Sequence, residues 1–240
     1  MFVRKYHYDE FFFRKIDTED KAWVLGWFFS DGNVQKNRIR LGINDLEVLE
    51  KIRDRFKFNG PFHIRKESKE HRKTYILYIS SRILASDLTK LGCPPNKTFL
   101  LKFPTEEMVP RHLIPAFIRG EFEGDGCCYY NKINKNYTVS ICGTRHLLEG
   151  INNFCGTHGI FSQRHPERNK DNLDLRIFRR EDVKTFLDLI YKDANFYMQR
   201  KFDKYYDFLK LYHEREKYHQ RAEINKKLRN KSKYLEMAVA

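Results

Sequence analysis

The 240-residue chain carries 46 Lys and Arg against 32 Asp and Glu, a formal charge of +14, with 41% hydrophobic and 15% aromatic residues. That content supports one large folded domain or two smaller ones, and the charge points to a polyanionic partner, with an anionic membrane surface as the competitor. No apolar run approaches the roughly 20 residues of a membrane span, MFVRKYHYDEFFF does not read as a signal or transit peptide, and five cysteines without CxxC or zinc spacing indicate reduced thiols. The expected location is an intracellular, reducing compartment: cytoplasm, nucleoid or organelle.

Asp17 or Thr18 can cap a helix that starts near Glu19, whose first-turn acids suit the positive end of the helix dipole. The helix is expected to end at Asp31, with Gly32 in the left-handed conformation that terminates helices. A hairpin follows, in which Arg38-Ile39-Arg40-Leu41-Gly42-Ile43 puts Ile39, Leu41 and Ile43 on one face and the arginines on the other. Asp45 caps a helix through about Phe56 with a stripe of Leu46, Leu49, Ile52, Arg53 and Phe56. Strands over Pro61 to Lys66 and Tyr75 to Ser80, then a helix from Ser81 to Leu91 stopped by Gly92 and Pro94, close the unit.

The same order recurs in the second half. A helix from about Arg111 to Asp125 precedes strands near Cys127 to Asn131 and Tyr137 to Cys142, then a helix from Thr144 to about His158. Strands near Phe161 to His165 and Leu173 to Arg179, and helices from Glu181 and Met198, complete it. The expected fold class is therefore α+β: two pseudo-symmetric αββαββα halves, each with a four-stranded antiparallel sheet. The expected boundaries are 1–108, including a short extension 1–16, then 109–212, with a basic tail 213–240. Helices on one side of each sheet leave its other face open. Arg38, Arg40, Thr138, Ser140, Asp174, Arg176 and Phe178 are the candidates for that face, a nucleic-acid saddle.

AWVLGWFFSDG, from Ala22, and AFIRGEFEGDG, from Ala116, align at a constant offset that carries Asp31 onto Asp125. Ala22, Gly26 and Ser30 fall at i, i+4, i+8, and Ala116, Gly120 and Gly124 repeat the register. Small residues on one face let two helix backbones approach, so these helices are expected to form the seam between the halves. Trp23, Trp27, Phe28, Phe117 and Phe122 are then expected to point away from the seam into each half's own core. An Asp-Gly pair alone is a common helix-ending turn. Two such pairs at a shared seam bring two carboxylates to adjacent negative helix ends, which a proton or a cation must relieve. Hard oxygen ligands at an open site suit Mg²⁺, with Mn²⁺ as a substitute, and fit metal-assisted phosphodiester hydrolysis.

With these residues the chain resembles the LAGLIDADG homing endonucleases in their single-chain form, Val24 to Gly32 and Ile118 to Gly126 filling the nine motif positions. The resemblance spans roughly Ile16 to Leu209. It implies that Asp31 and Asp125 are catalytic, metal-binding acids, and that both strands of a long asymmetric DNA target are cut across the minor groove while the sheets read the flanking major grooves. Lys97, in PNKTFLLKFP, and Lys201, in MQRKFDKYY, match the lysine that the family places near each cleaved phosphate. The sixth motif position, often acidic in the family, is Phe29 in one copy and Glu123 in the other, a departure expected to affect helix packing more than metal binding. The chain lacks the ends of an intact intein, which favours a free-standing or intron-encoded enzyme. The basic tail from His213 to Lys233 can continue the last helix and touch DNA phosphate, or stand as a solvated helix with a frayed end.

The resulting expectation is a monomeric, Mg²⁺-dependent double-strand DNA endonuclease. Gln35, Arg38, Arg40, Arg65, Arg72, Lys132, Lys135, Arg164, Arg168 and Arg176 are the candidates for base or phosphate contacts. The alternatives from another class are an RNA maturase acting on intron RNA and a non-cleaving DNA-binding regulator of the same fold. Retention of both acids disfavours a purely binding role.

Overall fold

Alternating patterns of period 3.6 and period 2 produce two copies of one element order. The computed structural model describes residues 5–66, 73–133, 136–166 and 173–239. The first copy comprises α1 (Glu19–Ser30), β1 (Gly32–Gln35), β2 (Arg38–Ile43), α2 (Leu46–Arg55), β3 (His63–Arg65), β4 (Thr74–Ile79) and α3 (Arg82–Lys90). The second comprises α4 (Ile114–Asp125), β5 (Gly126–Asn131), β6 (Asn136–Gly143), α5 (Arg145–Thr157), β7 (Gln163–Pro166), β8 (Leu173–Ile177) and α6 (Arg180–Tyr191), followed by α7 (Gln199–Val239). The described residues divide into two units, one through Lys201 and one from Phe202 onward. In the second unit the helix continues to Val239, with Phe202 and Tyr206 in contact one turn apart.

Each copy forms a fully antiparallel sheet, in the order β1-β2-β4-β3 and β5-β6-β8-β7. The alternation expected of β2 holds: Ile39, Leu41 and Ile43 are buried while Arg38 is exposed. Ser81 and Thr144 cap α3 and α5, each hydroxyl accepting from the third residue on at 3.2 Å, a contribution of about 1 kcal/mol apiece. Thr18 and Asp45 hold the N-cap positions of α1 and α2 without side-chain caps. Asp45 instead pairs with Arg200 at 3.2 Å. In α2 the buried stripe is Val48, Leu49 and Ile52, with Phe56 after it; Leu46 and Arg53 sit at its edge, only half-buried.

The core of the first half gathers Phe12, Phe13, Phe28 and Phe56, with the Phe12 and Phe56 ring centroids 4.6 Å apart. The N-terminal extension thus supplies two core aromatics. In the second half Phe122 packs edge-on against Phe186 and Tyr191.

Gly32 departs from expectation. Among the described glycines only Gly92 and Gly159 have positive φ, and Gly32 instead opens β1 directly after α1. A Cβ there would lie 2.5 Å from the Phe28 carbonyl oxygen and 2.6 Å from its Cα. Gly126 repeats this corner, its backbone extended at φ −97°, ψ 167° and a Cβ brought to 2.2 Å from the Phe122 ring. The glycine after each acid is required by a helix turning tightly into a strand, not by a left-handed backbone.

Candidate active site at the helix seam

The two small-residue stripes meet. A Cβ on Gly26 would stand 2.3 Å from the Phe117 carbonyl oxygen, and one on Gly120 would stand 2.1 Å from that of Trp23. A Cβ on Gly124 would meet Ser30 Oγ at 2.0 Å and Asp31 Oδ2 at 2.9 Å. Ala22 and Ala116 are buried in the same seam. Phe28 and Phe122 face their own halves as expected, but Trp23 and Phe117 do not. Trp23 Nε1 donates to Glu123 across the seam at 2.7 Å, and Phe117 packs edge-on against Phe29 at 5.0 Å. Close approach at the glycines brings neighbouring large residues within reach of the opposite half.

Asp31 caps the C-terminal end of α1, its N–H donating to Trp27, and Asp125 ends α4. Each acid has solvent on one side and protein crowded on the other. That crowding, and then the charge of Asp125, raise Asp31 to about 6. Crowding likewise raises Asp125, while Lys97 and Lys201 pull it down. The acids are therefore electrostatic neighbours with solvent access, and the missing side chain of Gly124 lets the helices close against Ser30 and Asp31.

Each lysine secures one helix end. Lys97, in a 3-10 turn Lys97–Phe99, donates to the carbonyls of Phe29 and, at 2.7 Å, Ser30. Lys201 donates to those of Phe122 at 2.5 Å and Gly126 at 2.6 Å. A cation is favourable at a helix C-terminus, and here it also offsets the adjacent acid. Burial pushes Lys201 down to about 8, against the pull of Glu123.

Of three charged residues inside α4, Arg119 and Glu121 escaped the sequence reading, and Glu123 was expected to act on helix packing without its partners being named. Arg119, 3% exposed, donates to the carbonyls of Phe196 (2.7 Å) and Ile190 (2.6 Å) and pairs with Glu19 at 2.5 Å, while Glu19 also accepts from Asn195. Glu123, 1% exposed, accepts from Trp23 and from the Met198 N–H at 2.9 Å. Desolvation raises it to about 7, against the opposing pull of those hydrogen bonds. Glu121 is fully buried, and neither oxygen has a hydrogen-bond partner among the described residues. Desolvation first, and Asp125 second, push its carboxyl well above the usual range. The available signal was the run RGEFEGD itself, with charges placed in a helix whose packing was already expected.

Strand register defines the open faces. On the first sheet Asn33, Arg40 and Tyr78 align, as do Gln35 with Arg38 and Arg65 with Thr74. Gln35, Arg38 and Arg65 are exposed, and Arg40 lies over the Tyr78 ring at 5.7 Å. On the second sheet Cys127, Ser140, Arg176 and Gln163 align. Thr138 and Asp174 share that face but are buried, and Asp174 holds Arg176 at 2.5 Å, so its charge is matched locally. Phe178 lies just beyond β8. Arg164 pairs in register with Leu175, one residue out of step with the open-face positions; its side chain, and Arg72, Lys135 and Arg168 entirely, lie outside the described residues. Lys132 is exposed in the β5–β6 turn. A cavity of about 330 Å³ runs from Asp31 along Gly42 and Asn44 to Arg65, Thr74 and Arg200.

Among the described residues no three His, Cys, Asp or Glu side chains cluster as a ready-made metal cage. Two exposed carboxylates that repel one another still fit a hard divalent cation that keeps water or phosphate in its remaining positions.

A sequence profile of the LAGLIDADG-like domain matches residues 18–92 and 113–191, one segment in each half. No curated protein matches the chain. Among solved structures the chain is similar to the LAGLIDADG homing endonuclease I-GzeII in complex with its DNA target, at TM-score 0.57 and 13% identity over 82% of this chain and 91% of that one. It is also similar to I-LtrWI bound to target DNA (0.55, 13%, 83% and 91%), and to I-SmaMI bound to uncleaved DNA in the presence of calcium ions (0.52, 15%, 82% and 92%). At these identities the structural likeness shows the shared fold, and the two profile segments, which cover more than half of the residues, show the family. The chain belongs to the LAGLIDADG family, in the form that carries both motif copies in one polypeptide.

Proposed function

We propose that this protein is a site-specific homing endonuclease that makes a double-strand break in a long asymmetric DNA target by Mg²⁺-dependent phosphodiester hydrolysis. The observation that carries this reading is the pairing of Asp31 with Asp125 at the ends of two helices in backbone contact, each helix end also held by a lysine. Family membership and the DNA complexes of the similar structures support DNA as the partner.

Asp31 and Asp125 would hold the metal. When bound, it supplies neutralisation of the phosphate and a more acidic water. The carboxylates hold it only when ionised, so the proton that metal-free Asp31 keeps up to about pH 6 competes with the metal. Lys97 and Lys201 stand beside the acids and offer N–H donors toward charge that develops on a phosphate oxygen. Arg38, Arg40 and Arg65 make the first open face basic, and we assign base reading and phosphate contact to it and to the more neutral second face. Two halves in one chain supply both strand-cutting positions, so a monomer suffices and the target need not be palindromic.

The test is selection of cleaved sites from a randomised duplex library with Mg²⁺, repeated with Asp31→Asn and Asp125→Asn. Cleavage at a long site, lost in both variants while Ca²⁺-supported binding persists, is the expected result. No cleavage of any DNA together with tight binding to a structured intron RNA would replace this reading with a maturase.

A further inference from the structure

The sixth motif position is used differently in the two copies. Phe29 makes an apolar contact with Phe117, whereas Glu123 places a buried carboxylate between two segments far apart in sequence. One oxygen accepts from Trp23 Nε1 at 2.7 Å, and the other from the Met198 N–H at 2.9 Å. The Met198 carbonyl in turn accepts the Lys201 N–H at 3.1 Å. Glu123 therefore caps, from another helix, the turn that carries Lys201, at the positive end of the helix dipole.

From that turn Lys201 reaches the carbonyls on either side of Asp125. The Lys97 side is built otherwise. Its 3-10 turn follows Asn96, at φ +55°, and among the described residues no carboxylate accepts from that turn's backbone. The segment before Met198 has separate fastenings in Arg119 and Glu19, so loss of Glu123 would loosen the Lys201 turn without detaching what precedes it.

We infer that Glu123 is a positioning residue for Lys201 alone, so that cutting of one DNA strand depends on an acid in the helix seam and cutting of the other does not. The inference rests on the nuclease reading and on a part for Lys201 in it.

The test uses the full chain and a duplex bearing a selected site, with the two strands carrying different end labels, under single-turnover conditions. Lys201→Met identifies one strand and Lys97→Met the other. Glu123→Ala is expected to slow the Lys201 strand ~10- to 100-fold, the scale of a catalytic group displaced by about 1 Å, and to leave the other within about twofold, so that nicked duplex accumulates. Glu123→Gln keeps one acceptor for Met198 and is expected to restore most of the lost rate. Trp23→Phe removes only the other hydrogen bond and leaves the strand ratio unchanged. Equal slowing of both strands by Glu123→Ala, or slowing confined to the Lys97 strand, would overturn the inference. Absence of any cleavage by the wild-type protein would instead overturn the nuclease reading beneath it.

Discussion

Gly26→Ala tests the seam where its geometry is tightest. The added Cβ would fall 2.3 Å from the Phe117 carbonyl oxygen, 2.7 Å from Glu121 N and 2.9 Å from Gly120 Cα. All three are main-chain atoms of the facing helix, so no side chain can swing aside. Real Cβ atoms essentially never come under 3.0 Å, and the helices must therefore part by at least about 0.7 Å at this level. Intrinsic propensity acts in the opposite direction, since Ala favours a helix interior over Gly by about 1 kcal/mol. Overpacking a closed interface costs about 1–3 kcal/mol or more, and backbone obstacles put this site at the upper end. The net expectation is a loss of ~2 kcal/mol, which lowers Tm by ~4–8 °C in a protein of this size. Gly156→Ala is the internal control, because in α5 a Cβ there meets nothing within 4 Å and propensity should act alone. Calorimetric melts in EDTA should show Gly26→Ala below wild type and Gly156→Ala at or above it. A Gly26→Ala protein as stable as wild type would refute the close-contact argument.

Four further outcomes are expected. Metal-free protein should lose stability as pH rises from about 4.5 to 7: unfolded Glu123 ionises near 4.5 while the folded group keeps its proton to about 7, a loss of about 3 kcal/mol from this residue alone. Glu121→Leu removes a buried carboxyl with no hydrogen-bond partner among the described residues, so urea titration at pH 7 should show a more stable protein and a flatter pH dependence. Ca²⁺ should raise the Tm of the wild type through binding to the folded state, and Asp31→Asn should abolish that rise. The combined Arg38→Ala and Arg40→Ala change should weaken DNA binding and flatten its salt dependence by about one unit for each phosphate left without its cation. Arg176→Ala should do so less, because Asp174 already matches its charge.

The element order was legible because local signals and packing agree. The alternation through Ile39, Leu41 and Ile43 and the paired small-residue stripes each specify one arrangement, whereas the side-chain caps expected before α1 and at Asp45 do not form. The seam was legible for a further reason: only a backbone-to-backbone approach demands glycine at both Gly26 and Gly120. What could not be read depends on partners distant in sequence. Glu123 finds Trp23 and Met198, and Arg119 finds Glu19, Ile190 and Phe196. A local pattern therefore cannot name their partners. The same limit explains Phe12 and Phe13, which belong to a core assembled from α1 and α2, and the turn of Trp23 and Phe117 across the seam. Lys97 and Lys201 could be placed near the acids, but their hold on the helix-end carbonyls is a property of the folded backbone.

Contact across the seam makes Asp31 and Asp125 one electrostatic pair. Carbon-detected NMR titration of the Asp31 carboxyl, in metal-free wild type and in Asp125→Asn, tests it without any knowledge of the DNA target. Asp31 should titrate at about 6 in the wild type. In the variant it should fall, yet stay above the ordinary 3.8, because desolvation is the larger cause and the charge of Asp125 the smaller. An Asp31 that titrates near 3.8 in the wild type, or one that Asp125→Asn leaves unmoved, would contradict the pairing.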